Sequence, residues 1–325
     1  MKVLKPTPVT PANYYLYSNT AAGDYTEWNV ATAYVAGDRV IVDSLQSQFE
    51  CVLANTGQAP SLTVTTYWVR VAASLAWRPF DNVLSDQQQT QGYYHTVSAA
   101  ELWGGSVITG PSKLFFPLMG MGRVSTVAVL GTDARYVTVA AYNRWGNQTY
   151  FQTIAAVDTT PVIDVWTYCF AELNATRDFV FDGLDGWGDT TLDQIHVTVL
   201  SSGLDWDARV GEIIVGNAFE LGDCHADPQI SLVDYSRKEI DAYGTVSILE
   251  RTYSLTGTFD IEIDQGMRAR VQNVIASLRA TPAVYFPTAD DANNGIVIYG
   301  TVRDYNTTYQ TPKRAYATLE IMGLS

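Results

Sequence analysis

The sequence predicts a mainly β protein: a small β-module, a β-sandwich, and a β-rich α+β C-terminal unit with one clear helix. Three observations predict it. Charged residues make up only 17% of the 325 residues, whereas 20 Tyr and 8 Trp are present. Aromatic side chains favour pleated, half-buried surfaces, and disordered chains are poor in them. Short β-branched runs recur through the middle of the chain, punctuated by Gly, Asp and Asn. A helical period is clear in one stretch only, between residues 264 and 279.

Residues 1–25, rich in Pro, Thr, Ala and Tyr, read as an extended arm ordered by a neighbour. Residues 26–74 form the first compact unit. It is marked by "YVAGDRVIVD", an aromatic residue and a Gly-Asp turn followed by an alternating apolar run. "AWRPFDNVLSDQQQTQG" then reads as a loop entering the next domain.

Residues 75–222 carry the sandwich pattern. "VSTVAVLG" (124–131) and "RYVTVAAY" (135–142) are strand-like and split by Gly131-Thr132-Asp133. "DFVFDGL" (178–184), "IHVTVLSS" (195–202) and "VGEIIVG" (210–216) continue the series, as a β-sandwich or jelly roll requires.

Residues 223–325 change character. In "TYSLTGTFDIEI", Tyr253, Leu255, Phe259, Ile261 and Ile263 share one face at period two, with Gly257 in one slot. Asp264 stands where a helix N-cap belongs. Met267, Val271, Val274, Ile275 and Leu278 then fall on one helical stripe, which Pro282 stops. Strands follow at 283–287, 296–302 and 316–324.

The net charge of −14 argues against a nucleic-acid groove and against docking on anionic lipid, both of which need clustered Lys and Arg. "MKVLKPTPVTP" has no apolar run behind its lysines, so no signal peptide is expected. No apolar run reaches about 18 residues, so no membrane insertion is expected. Cys51, Cys169 and Cys224 are odd in number and widely spaced, which indicates neither a zinc ribbon nor a disulfide framework.

Catalytic signatures are missing. His95 and His196 have no motif partner, and no GxSxG, P-loop, HExxH or GxGxxG accompanies them. The expectation is a non-enzymatic protein without a cofactor. "GDCHADP" (222–228) gathers metal-ligating residue types, but adjacent side chains of an extended chain point to opposite faces. Asp182, Asp185 and Asp189, in "DGLDGWGDTTLD", are the weak metal candidates. Calcium takes several oxygens from a flexible loop, yet the spacing does not match an EF-hand loop and reads equally as an acidic Gly-rich turn. A glycosidase carboxylate pair could be drawn from the same three residues.

Two resemblances add function. The segment 28–68 resembles the small chitin- and cellulose-binding modules of the family 5/12 type, through Trp28, Tyr34, Gly37, Asp38, Val40, Phe49, Gly57, Pro60 and Trp68 in matching order and spacing. The resemblance implies a three-stranded fold. It also implies a carbohydrate surface drawn from Tyr67, Trp68, Trp28 and Tyr34, since sugar rings stack on aromatic faces. "CVLANTGQAP" (51–60) holds no aromatic residue where sugar-binding members usually carry one. Trp28, Tyr34 and Trp68 also suit a mini-core, which leaves Tyr67 as the main platform candidate.

"LAWRPFDN", "VAVLGTDARYVTVAAY", "DYSRKEIDAYGTVSILERTYS" and the ending "GIVIYGTVRDYNTTYQTPKRAYATLEIMGL" resemble tailed-bacteriophage tail-tip and baseplate structural proteins. That resemblance implies a galactose-binding-like jelly roll followed by a tail-attachment domain. It implies a virion protein made in the host cytoplasm and assembled as a homo-oligomeric ring, trimer or hexamer. Its implied partners are other tail or baseplate proteins, receptor-binding proteins and a bacterial surface glycan. A free carbohydrate-binding protein and a cell-wall glycosidase remain the alternatives.

Overall fold

In the computed structural model, residues 1–14, 25–84, 88–89, 113–156, 176–184, 192–200, 208–224, 229–240, 246–288, 296–308 and 314–324 are described. Strands take 57% and helices 10%, so the chain is mainly β, with one clear helix.

The strands are β1 (Lys2–Pro6), the module strands β2 (Arg39–Val42), β3 (Ser47–Cys51) and β4 (Trp68–Ala73), and the sandwich strands β5 (Lys113–Gly122), β6 (Thr126–Leu130), β7 (Tyr136–Asn143), β8 (Gln148–Ala155), β9 (Phe179–Asp182), β10 (Leu192–Leu200) and β11 (Glu212–Glu220). The C-terminal unit has β12 (Gln229–Asp234), β13 (Arg237–Ile240), β14 (Val246–Leu249), β15 (Tyr253–Asp264), helix α1 (Arg268–Ser277), β16 (Ala283–Phe286), β17 (Ile298–Thr308) and β18 (Arg314–Gly323).

One curled sheet of ten strands organises the molecule. Its order is β9-β6-β11-β1-β16-β17-β18-β15, ending on the short strand Asp223–Cys224, with β12 also paired to β15. A second sheet, β8-β7-β10-β5, faces its first strands. Period-two alternation explains the sandwich. Val127 and Val129, Phe179 and Phe181, and Ile213 and Val215 point to one face, where they meet Phe116, Leu118, Val137, Val139, Ile195 and Val197 of the second sheet. Their intervening neighbours Ala128, Leu130, Val180 and Ile214 fill a separate cluster on the opposite face.

The same alternation builds the C-terminal core. Phe259, Ile261 and Ile263 of β15 pack with Leu319 and Ile321 of β18 under Val271, Ile275 and Leu278. Gly257 takes a slot because a Cβ there would meet Ile298 Cδ1 at 2.2 Å. Asp264 has the extended backbone of a cap but makes no side-chain cap bond. A 3-10 turn, Gln265–Met267, precedes the α-helix.

The sheet joins units that local pattern separates. β1 lies at its centre, antiparallel to β11 on one side (Val3↔Phe219) and β16 on the other (Val3↔Tyr285). Val3 enters the helix-covered core and Leu4 the opposite cluster, both fully buried. The segment expected as an arm therefore starts as an interior strand. "KVLKP" is too short to show a period, and only its two sheet neighbours make its apolar pair buried. Tyr14 of the same segment packs edge-on against Trp77 at 5.2 Å.

The expected entry loop also differs. Leu75–Phe80 is a 3-10 turn whose Ala76 and Trp77 enter the sandwich core. Proline keeps this segment from longer regular structure, and its apolar side chains still need burial.

Candidate functional site

The small module is a three-stranded antiparallel sheet, β2-β3-β4. Val40 faces Phe49, and Cys51 faces Trp68, so inward positions alternate into one mini-core with Tyr34. The Gly-Asp turn is locked to β3. Gly37 N–H donates to Cys51 O at 2.8 Å, and Cys51 N–H to Asp38 O at 2.7 Å. The Asp38 carboxylate accepts from Val35 N–H at 2.7 Å, and Gly37 adopts φ +96°, where a side chain is disfavoured. Burial pushes the Cys51 thiol pKa up.

The structure separates the four carbohydrate candidates by burial. Trp68 is 1% exposed, and its Nε1 donates to Gln58 O at 2.8 Å. Tyr34 is 7% exposed, meets Trp68 edge-on at 5.1 Å, and its hydroxyl accepts from Asn29 N–H at 2.8 Å. Both serve the core. Trp28 and Tyr67 pack on its margin, half-buried, and retain solvent-facing surface. Trp28 Nε1 is a buried donor with no partner.

Tyr25, which the sequence pattern assigns to the end of an arm, lies beside this group. It is 43% exposed. The Arg39 guanidinium stands 5.7 Å from its ring centroid and donates to its hydroxyl at 3.3 Å, while Nε pairs with Glu50 at 2.9 Å. Tyr25, Thr32, Tyr34, Asp38 and Arg39 line an open depression of about 530 Å³. An aromatic face beside an ion-paired guanidinium and a carboxylate suits a hydroxyl-rich ligand. The sequence signal for this residue is "YTEW", an aromatic three residues before Trp28.

Of the three carboxylate candidates, Asp182 alone lies within the described residues. Asp182 closes β9, where its Oδ1 accepts from Thr126 Oγ1 and its Oδ2 from Lys2 Nζ, each at 2.6 Å. Asp185 and Asp189 lie outside the described residues, as do His95, Cys169, His225 and Asp227. Asp223 and Cys224 pair with Glu262 and Ile261 of β15. His196 is buried in β10 between the rings of Phe115 and Tyr142. Burial lowers its pKa to about 4, so it is neutral at pH 7. Among the described residues no group of three or more His, Cys, Asp or Glu could hold a metal ion.

A second cavity, about 290 Å³, opens where the sandwich meets the C-terminal strands; Leu130, Arg177, Asp178, Tyr253, Tyr299 and Leu324 are among its walls. Beside it, Asn82 N–H donates to Glu212 Oε2 at 3.1 Å, and the Tyr299 hydroxyl to Asn82 Oδ1 at 3.0 Å. Burial, reinforced by Asp81, raises the Glu212 pKa to about 9, against the opposing pull of the Asn82 and Val83 amides. At pH 7 this carboxyl is protonated and fastens the 81–84 segment to the sandwich. Asp178 accepts from Gly131 N–H at 2.8 Å, and burial raises its pKa too.

No protein-family model matches the chain, and no curated protein matches it.

Proposed function

We propose that the chain is a structural protein of a bacteriophage tail tip or baseplate, which organises the distal tail and carries or assists contact with a host-surface glycan. One observation carries this reading. A single ten-stranded sheet ties the first strand, the sandwich and the C-terminal unit together, and the small module is fixed to that body through Ala76 and Trp77. Such a frame transmits load between its ends and leaves the module's aromatic margin at Tyr25, Trp28 and Tyr67 free to meet a ligand. The sequence resemblance to tail-tip proteins supports reading this frame as part of a virion. On this reading its partners are other tail proteins and receptor-binding proteins, and its copies are arranged in a ring.

Quantitative mass spectrometry on purified particles, with gold-labelled antibody, tests the proposal. A small fixed copy number with label at the tail tip is expected. Absence from particles, with the protein free in the lysate, overturns it. The free carbohydrate-binding reading then becomes the one to test, by polysaccharide pull-down with Tyr67→Ala and Tyr25→Ala.

A further inference from the structure

The cavity where the sandwich meets the C-terminal strands lies at the open end of a core cluster. Leu130, Val297 and Tyr299 belong to that cluster, and Leu84 and Leu324 pack on its margin. All five also wall the cavity, whose volume is about 290 Å³. Protein interiors pack to the density of organic crystals and hold few voids larger than a water molecule. This cluster ends instead on space that no side chain fills. A dry cavity of about 150 Å³ admits one benzene ring, so this one takes a body of two fused rings.

The polar groups of the walls are few, and most are engaged. The Tyr299 hydroxyl donates to Asn82 Oδ1 at 3.0 Å, and Ser254 Oγ shares a hydrogen bond with the Tyr235 hydroxyl at 3.0 Å. Thr252 and Arg177 are exposed and so belong to the mouth. Asp178 is different. Its Oδ1 accepts from Gly131 N–H at 2.8 Å, and among the described residues its Oδ2 accepts from nothing. A carboxyl removed from water is costly to leave short of donors. Burial accordingly raises its pKa, against the pull of the Gly131 amide and the Arg177 charge. One wall residue therefore has an acceptor to spare, and the deep surface around it is apolar.

Charge narrows the ligand further. Arg177 and Asp178 are the only charged side chains among these walls, one of each sign. An ionic ligand would gain one partner and meet one like charge, whereas an uncharged ligand meets no repulsion. Pockets of this kind, apolar with a few convergent polar groups and a carboxyl of shifted pKa, are where proteins hold small molecules.

We propose that this cavity binds a small uncharged molecule with a flat apolar body of two fused rings and one hydroxyl, which donates to Asp178. The rings lie against Leu130, Val297 and Leu324. The site is separate from the module's aromatic margin and does not depend on the virion reading.

Calorimetric titration of the full chain with 2-naphthol, at pH 7 where the probe is uncharged, tests it. One saturable site per chain is expected, with Kd below about 1 mM. 2-Methoxynaphthalene has the same rings and no donor, and should bind at least about fivefold more weakly. Asp178→Asn keeps an acceptor for Gly131 N–H and puts an NH2 in place of the second oxygen. It should weaken 2-naphthol by a similar factor and leave 2-methoxynaphthalene unchanged. Leu84→Trp, which fills the cavity, should abolish binding of both probes, with a thermal transition to show that the variant is folded. The absence of saturable 2-naphthol binding overturns the proposal, as does binding that survives in folded Leu84→Trp. Equal affinity for the two probes, or an Asp178→Asn variant that binds 2-naphthol like wild type, overturns the part given to Asp178.

Discussion

Lys2 Nζ donates to Asp182 Oδ2 at 2.6 Å, joining the first strand to the end of β9 across 180 residues of sequence. The second Asp182 oxygen accepts from Thr126 Oγ1, a residue with no solvent exposure. The two bonds differ in worth. The Lys2 side chain is 38% exposed, so Lys2→Met should cost no more than about 1 kcal/mol. Asp182→Ala also strips the buried Thr126 hydroxyl of an acceptor and should cost about 2 kcal/mol. Urea denaturation of the two variants checks the ranking.

Glu212 makes stability depend on pH. Its folded-state pKa, about 9, lies above its ordinary 4.5, so the native state holds the proton more tightly than the unfolded chain. The stabilisation is fully present below about 4.5 and is lost as pH rises towards 9. Glu212→Gln keeps an acceptor for the Asn82 amide and abolishes the titration. The variant should match wild type at pH 4 and exceed it by at least about 1 kcal/mol at pH 8. Thermal melts across that range give the answer.

Gly216 lies where β11 pairs with β1. A Cβ there would fall 2.0 Å from Lys5 O, a backbone atom that can move only with its strand. Gly216→Ala should cost about 3 kcal/mol or prevent folding. Gly266, at the start of the helical segment, has open space where a Cβ would sit, with no atom within 4 Å, and no left-handed backbone. Gly266→Ala should change stability by less than about 1 kcal/mol. Expression yield and melting temperature separate the pair.

Trp68→Ala should remove the centre of the module's core and cost about 3 to 5 kcal/mol, more than so small a core can lose. Tyr67→Ala, at the margin, should leave the module folded. Near-UV circular dichroism with limited proteolysis should show the first variant cleaved within 25–74 and the second intact. Polysaccharide affinity can therefore be read cleanly from Tyr67→Ala and not from Trp68→Ala.

Elements with a strong local period were legible in the sequence. Phe259, Ile261 and Ile263 alternate over a long strand, and Val271, Ile275 and Leu278 repeat at helical spacing; both patterns survive into the same core. The module's mini-core was legible too, because in so small a unit Val40, Phe49 and Trp68 have only one another to pack against. Of the site, the sequence reading set Tyr67 apart from the mini-core but counted Trp28 in it, whereas both lie half-buried on its margin, and the contact of the exposed Tyr25 ring with Arg39 had no signal of its own. That contact depends on how two segments approach, which spacing along one of them does not encode.

The chain by itself determined its class and local elements, because strand and helix periods are properties of neighbouring residues. Tertiary structure alone decided that Val3 and Leu4 are core, that Trp77 plugs the sandwich, that Glu212 keeps its proton, and that Leu232 and Ile248 stay in solvent. Burial and pairing across 100 or 200 residues are properties of the closed sheet, and no window along the chain contains them.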